Sequence, residues 1–288
     1  MPAQEVDDAV QVDLERMHPA RVSEQSARSD RRSGSSSDRP GSRTLRKMSP
    51  FIVSDRSFSD VLENLGRSQP APPDETILIT ALVALALVVL RAPWLTLRGV
   101  VTIAHEGGHA LVAVATGRRV QGIRLHSDTS GVTFWRGRAN GLGAVASIAA
   151  GYPAPALLGL AASAFLAFDR ITALLWFSLL LLALILIGIR NLYGVLSVLA
   201  TAAVIFAVSW FGAAAVQGVF AYAFTWFLLL ASIRPVVELQ QGRRYRRGPT
   251  SDADQLAGLT RIPALVWVGF FALVSLGCLA LAVRWILF

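Results

Sequence analysis

The chain has 288 residues, 53% of them hydrophobic and 16% charged, with a mean hydropathy of +0.51, whereas a soluble domain carries nearer a quarter charged residues; this composition excludes an ordinary water-soluble enzyme. The formal charge of +8 and pI near 10.8 would suggest nucleic acid in a soluble chain, but 16 basic and 7 acidic residues lie beyond Asp74 against 11 and 12 up to it. Arginines in the loops of a membrane domain follow the positive-inside rule, so a lipid bilayer and no nucleic acid is the expected surrounding.

Residues 1–74 mix Ser, Arg, Asp and Pro and cannot bury enough apolar surface to offset chain entropy, so a disordered polar tail is expected there. No basic stretch followed by an apolar core opens the chain, which leaves the first span as the targeting signal, and Met48 is an alternative initiator that would remove residues 1–47. Lys47 is the single lysine against 26 arginines, a bias typical of a GC-rich bacterial genome.

Residues 75–288 read as a membrane domain with apolar stretches at 76–91, 98–116, 141–168, 171–189, 192–212, 213–233 and 262–288. The expected fold is therefore an all-α polytopic membrane protein of six to seven transmembrane helices. The connections 117–140 and 234–261 are rich in arginine and the others are not, which predicts a multi-pass cell-membrane protein with its N-terminus in the cytoplasm and, for seven spans, its C-terminus outside. Within the first of these connections, residues 120–126 and 131–136 alternate in polarity around Ser127-Asp128-Thr129-Ser130, the signature of a small cytoplasmic β-hairpin. Its unpaired edge is a place where an extended peptide could pair. The lone Cys278 excludes an internal disulfide and reads as a small packed residue. The aromatic residues from Trp210 to Phe227 read as lipid-facing and interfacial side chains.

The informative stretch is Thr102-Ile103-Ala104-His105-Glu106-Gly107-Gly108-His109, an H-E-x-x-H sequence in an apolar helix. Residues four apart lie one turn above each other, so His105 and His109 can direct ring nitrogens at one Zn²⁺ while Glu106 takes a proton from a water that the metal activates. With four histidines and seven glutamates in the chain, composition alone would produce the pattern about once in a thousand such sequences. Ionisable side chains at membrane depth are retained mainly where they have partners. Gly107 and Gly108 weaken a helix but let a facing helix or a substrate backbone come close. Pro153 and Pro155 interrupt the third apolar stretch, which suits a helix that opens beside a wet cavity.

The H-E-G-G-H helix, the hairpin after it, residues 150–159 (Ala-Gly-Tyr-Pro-Ala-Pro-Ala-Leu-Leu-Gly) and residues 251–257 (Ser-Asp-Ala-Asp-Gln-Leu-Ala) together resemble the M50 metallopeptidases, specifically the M50B-like branch related to site-2 proteases. The resemblance covers residues 76–288. It implies a membrane-embedded zinc peptidase that cleaves membrane proteins or peptides, with His105 and His109 as ligands and Glu106 as base. Site-2 proteases usually take a third ligand from an L-D-G aspartate, which this chain lacks. Asp252 is the favoured substitute, with Asp254 and the amide of Asn191 as alternatives; Ser251 and Asp254 equally fit a plain helix cap. His126, in the hairpin, reads as a solvated loop histidine. A catalytically silent relative that binds a membrane partner through the same cleft is the alternative function, and a transporter a weaker one, because polar residues are scarce on the other spans.

Overall fold

The computed structural model describes residues 57–245 and 251–288, and the expected tail lies outside them up to residue 56. The chain divides into two units, Met1–Lys47 and Met48–Phe288, and all described residues belong to the second. The expectation of a structureless segment up to residue 74 needs one change: Phe58–Leu65 form helix α1, closed by a capping box between Ser57 and Asp60.

Helix α2 (Asp74–Val89) starts behind Pro73 with Asp74 and Glu75 in its first turn, where their charge complements the helix dipole. It stops at Leu90, whose backbone is extended, and α3 (Arg91–Ala115) begins at once in a direction 97° away. Pro93 accounts for the break, since it cannot donate to a carbonyl four residues back and is tolerated only in a first helical turn. The carbonyls orphaned at the end of α2 are those of Val88 and Val89, and the Arg234 guanidinium donates to both.

Strands β1 (Arg119–Leu125) and β2 (Gly131–Arg136) form the expected antiparallel hairpin, with Ile123 opposite Thr133 and an irregularity between Val120 and Gly122. An Asx turn closes it: Asp128 Oδ1 accepts from the Ser130 amide at 3.0 Å. One edge is already used, because Ile123 of β1 bridges Ile189 in parallel fashion. Only the β2 side matches the open edge expected from sequence.

Helices α4 (Leu142–Ala149) and α5 (Pro153–Ala167) form a second bent pair, at 69°, with Pro153 in the first turn of α5. They are followed by α6 (Ile171–Gly188), α7 (Leu192–Phe211), α8 (Ala214–Ala231), α9 (Ile233–Tyr245), α10 (Asp252–Thr260) and α11 (Ala264–Leu287). Four segments are long and apolar enough to cross a bilayer, namely α6, α7, Ala214–Arg243 and α11, or up to six if each bent pair counts as one span. The four to six candidate spans meet the expected six to seven at six and leave seven without support. The two stretches at 76–91 and 98–116 are one bent pair, and the stretch expected to end near residue 233 continues into α9. The placement of the two chain ends on opposite sides, which rested on seven spans, falls with that count.

Two apolar clusters hold the helices. The larger joins α2, α3, α5, α6, α7 and α8 through residues such as Val101, Leu175, Ile205 and Leu229. Tyr222, Trp226 and Phe227 belong to it, which corrects their expected lipid-facing role. The smaller cluster joins Ile148 of α4, Val236 and Leu239 of α9, Ala253 and Leu256 of α10, and Ala264, Val268 and Phe271 of α11. Burying a leucine such as Leu256 contributes about 1.5–3 kcal/mol. That cluster is what carries the start of α10 toward α3.

Candidate metal centre

His105 and His109 stand one turn apart on α3, and Asp252 is the first residue of α10. Nε2 of His109 lies 3.0 Å from Nε2 of His105, and Asp252 Oδ2 lies 3.2 Å from each of them. Three donor atoms thus form a nearly equilateral triangle. Tetrahedral zinc with bonds of about 2.0–2.1 Å separates its ligand atoms by roughly 3.3–3.4 Å, so this triangle is within a few tenths of an ångström of the required spacing. Asp252 Oδ2 is buried and accepts no hydrogen bond of normal geometry. Both rings therefore address a shared point beside the oxygen rather than the oxygen itself. Two imidazoles and one carboxylate are a donor set suited to Zn²⁺.

The surroundings prepare each ligand. The Ser147 carbonyl of α4 lies 2.8 Å from His109 Nδ1. A carbonyl can only accept, so Nδ1 carries a proton, and in the neutral ring the Nε2 lone pair is left facing the triangle. The His105 ring meets Tyr152 edge to face at 4.7 Å, and Tyr152 stacks on Phe271 at 5.0 Å. Burial alone would raise the Asp252 carboxyl, but the charge that the two imidazoles carry when protonated outweighs it and holds the group below its ordinary value.

The break between α4 and α5 brings Gly151 against both rings. A Cβ there would fall onto His109 Nε2 and 2.7 Å from His105 Cε1, so only glycine leaves the centre its space. Gly108 meets Ala150 and Ala154 at the same crossing, which identifies the helix, rather than a substrate, as what that glycine admits.

Glu106 is 3% exposed and hydrogen-bonded to the hairpin: Thr133 Oγ1 donates to its Oε2 at 2.6 Å. A cavity of about 810 Å³ opens from the triangle and is lined by Glu106, the hairpin turn at Thr129–Gly131, Arg98, Glu238 and Arg243. It is lined by both basic and acidic side chains, Arg98 and Arg243 with Glu106 and Glu238.

The remaining sequence candidates lie elsewhere. Asp254 points away from the triangle, accepting from Arg243 Nε at 3.0 Å and bonding the Ser251 hydroxyl at the helix N-cap. Asp254 fits the cap reading, and Asp252 of the same segment is the aspartate that stands beside the two imidazoles. Burial would raise the Asp254 carboxyl, yet Ser251 and Arg243 hold it below its ordinary value. Asn191 is bonded to the hairpin backbone, with Leu125 N donating to Oδ1 at 3.2 Å and Nδ2 donating to Leu125 O at 2.6 Å. His126 is exposed and faces Ser130. Thr133, Gly151, Tyr152 and the Ser147 carbonyl were not anticipated from sequence. The one available signal was the polarity alternation of β2, which puts Thr133 on the opposite face from Val132 and Phe134.

In comparison with known proteins, the model of the Peptidase M50B-like family matches residues 78–282. No curated protein and no solved structure matches the chain.

Proposed function

Because the chain belongs to the Peptidase M50B-like family, we propose that it is a multi-pass membrane zinc peptidase in which His105, His109 and Asp252 hold the metal and Glu106 is the general base. The observation that carries this reading is the meeting of Asp252, far along the chain, with the two imidazole nitrogens of the H-E-x-x-H helix at 3.2 Å. When bound, Zn²⁺ would supply a Lewis acid that polarises the scissile carbonyl and makes water acidic near neutral pH.

The other steps belong to side chains. Glu106 takes a proton from the attacking water, whose oxygen bonds to the carbonyl carbon, and returns it to the leaving amine as the C–N bond breaks. His109 keeps its Nε2 lone pair in place through Ser147. The apolar clusters and the α4–α5 break keep the centre at the end of a cleft rather than on open surface. The substrate in this reading is a membrane protein or membrane-associated peptide that enters the cleft between α3 and α9 as an extended chain. The arginine-rich hairpin and the α9–α10 region both border that cleft, which supports placing the cleft on the cytoplasmic side.

A catalytically silent binder drew its support from the missing L-D-G aspartate, and Asp252 answers that gap. The test is the purified wild-type protein in proteoliposomes beside Glu106→Gln, with membrane-derived polypeptides as substrate and mass spectrometry of the fragments. Glu106→Gln should keep one zinc per chain and lower cleavage by about a hundredfold or more. Wild-type cleavage by this variant would remove Glu106 from the mechanism.

A further inference from the structure

A general base works only if one of its oxygens is free to take the proton and is held in place. Glu106 sits on α3 with its side chain buried, and the group that touches it comes from another element, the hairpin. Thr133 has one hydroxyl proton and two acceptors within reach, Glu106 Oε2 at 2.6 Å and the Glu106 carbonyl at 3.2 Å. The shorter contact, to a carboxylate oxygen, takes the proton. Oε2 is thereby occupied and Oε1 is left as the basic oxygen. Oε1 lies beside Gly131, where a Cβ would approach to 2.6 Å, and Gly131 lines the cavity.

The hairpin can hold Glu106 only if it is itself held, and it is anchored at its turn and along β1. At its turn, Thr102 Oγ1 of α3 donates to the Thr129 carbonyl at 2.8 Å. Along β1, the segment between α6 and α7 pairs with the strand: Ile189 bridges Ile123, Arg190 N donates to Ile123 O at 2.9 Å, and the Asn191 amide closes a two-bond ring with the Leu125 backbone. Ile123 is in turn the register partner of Thr133. The contacts run without a gap from Asn191 through β1 and β2 to the carboxylate.

We propose that the hairpin is the positioning element of the general base, with Thr133 as the residue that fixes Glu106 and Asn191 as the anchor that fixes Thr133. This rests on the reading of Glu106 as base. Neither residue touches the metal triangle, and both act through another group.

The test uses Thr133→Val, Thr133→Ser, Asn191→Leu and the Thr133→Val/Asn191→Leu pair in proteoliposomes, with an internally quenched apolar peptide as substrate. Thr133→Val should lower kcat by about 10–100-fold, the usual effect of losing a partner that orients a reactive group, with KM and zinc content unchanged. Thr133→Ser, which keeps the hydroxyl, should recover most of that loss. Asn191→Leu should lower kcat in the same sense and speed hydrogen exchange at Ile123–Leu125. The paired variant should be no slower than Thr133→Val alone, because the two act in series. If Thr133→Val fails to fold, Thr133→Ala makes the same deletion with less bulk. Wild-type kcat in the Thr133 deletion beside an inactive Glu106→Gln would overturn the proposal alone, as would equal losses in Thr133→Val and Thr133→Ser. Multiplying losses in the paired variant would overturn the role of Asn191. Full cleavage by Glu106→Gln would overturn the base and its positioning together.

Discussion

Two aspartates two residues apart, Asp252 and Asp254, should behave as different kinds of residue. Asp252→Asn keeps the shape of the side chain but replaces an ionised oxygen, 3.2 Å from both imidazole nitrogens, with a neutral amide. Groups that merely orient a zinc ligand are typically worth 10–100-fold in metal affinity, so loss of a direct ligand should cost at least a hundredfold, or about 2.7 kcal/mol. Asp254→Ala removes the bond from the Ser251 hydroxyl and the partner of Arg243. A helix-cap contact is worth about 1 kcal/mol and a partly exposed ion pair up to about 1 kcal/mol, so α10 should loosen with a Tm a few degrees lower. The assay is zinc content by elemental analysis after equilibration against chelators of graded strength, beside thermal unfolding of the same samples. Asp252→Asn should lose zinc to a weaker chelator with little change in the Tm of the metal-free protein, and Asp254→Ala should show the reverse. Unchanged zinc retention in Asp252→Asn would refute the ligand assignment, and loss of zinc in Asp254→Ala with an unchanged Tm would show that the two roles are exchanged.

Gly151→Ala should strip zinc from a folded protein, since the added methyl falls on the His109 ring nitrogen, and an unchanged metal content would contradict the tight crossing of α3 with the α4–α5 break. Arg234→Met should lower the Tm while leaving zinc content alone, because it uncaps Val88 and Val89 and breaks the 3.0 Å pair with Glu238; about 1–3 kcal/mol is the ordinary cost of leaving such carbonyls unpaired, read by thermal unfolding. The pH dependence of Asp254 has a defined sign. Its carboxyl titrates below the ordinary 3.8 in the folded chain, so its contribution is present above that value and is lost as pH falls through the folded one. The stability gap between wild type and Asp254→Asn should accordingly be open at neutral pH and close in acid, and a gap that widens on acidification would reverse the assignment.

How far the sequence could be read follows from the range of each interaction. His105, Glu106 and His109 were legible because a spacing of four on one helix is local geometry, and the apolar setting made a chance pattern improbable. Asp252 could be favoured but not cleanly separated from Asp254 or Asn191, because Ser-Asp-Ala-Asp satisfies a helix cap whether or not its first aspartate is a ligand. What separates them is the seating of Ala253 and Leu256 against α4 and α11, a long-range packing event with no local signature. A count of seven goes beyond the candidate spans for a related reason. Hydropathy registers how long an apolar stretch is, not where it turns, and the 97° turn at Leu90 rests on Pro93 and on a guanidinium more than 140 residues away. Tyr222, Trp226 and Phe227 read as lipid-facing because a helix surrounded by other helices is nearly as apolar all round as one surrounded by lipid, and the marks of the inside of α8 are few, among them the buried Gln217 and Thr225. The same logic hides the hairpin's role. Polarity alternation gives the strands, but Asn191 holds Leu125 through main-chain atoms, and any residue at position 125 would offer the same N–H and C=O. An interaction made by one side chain with another segment's backbone leaves a mark on only one of its two partners, and here that partner is an asparagine that the sequence offers only as an alternative metal ligand.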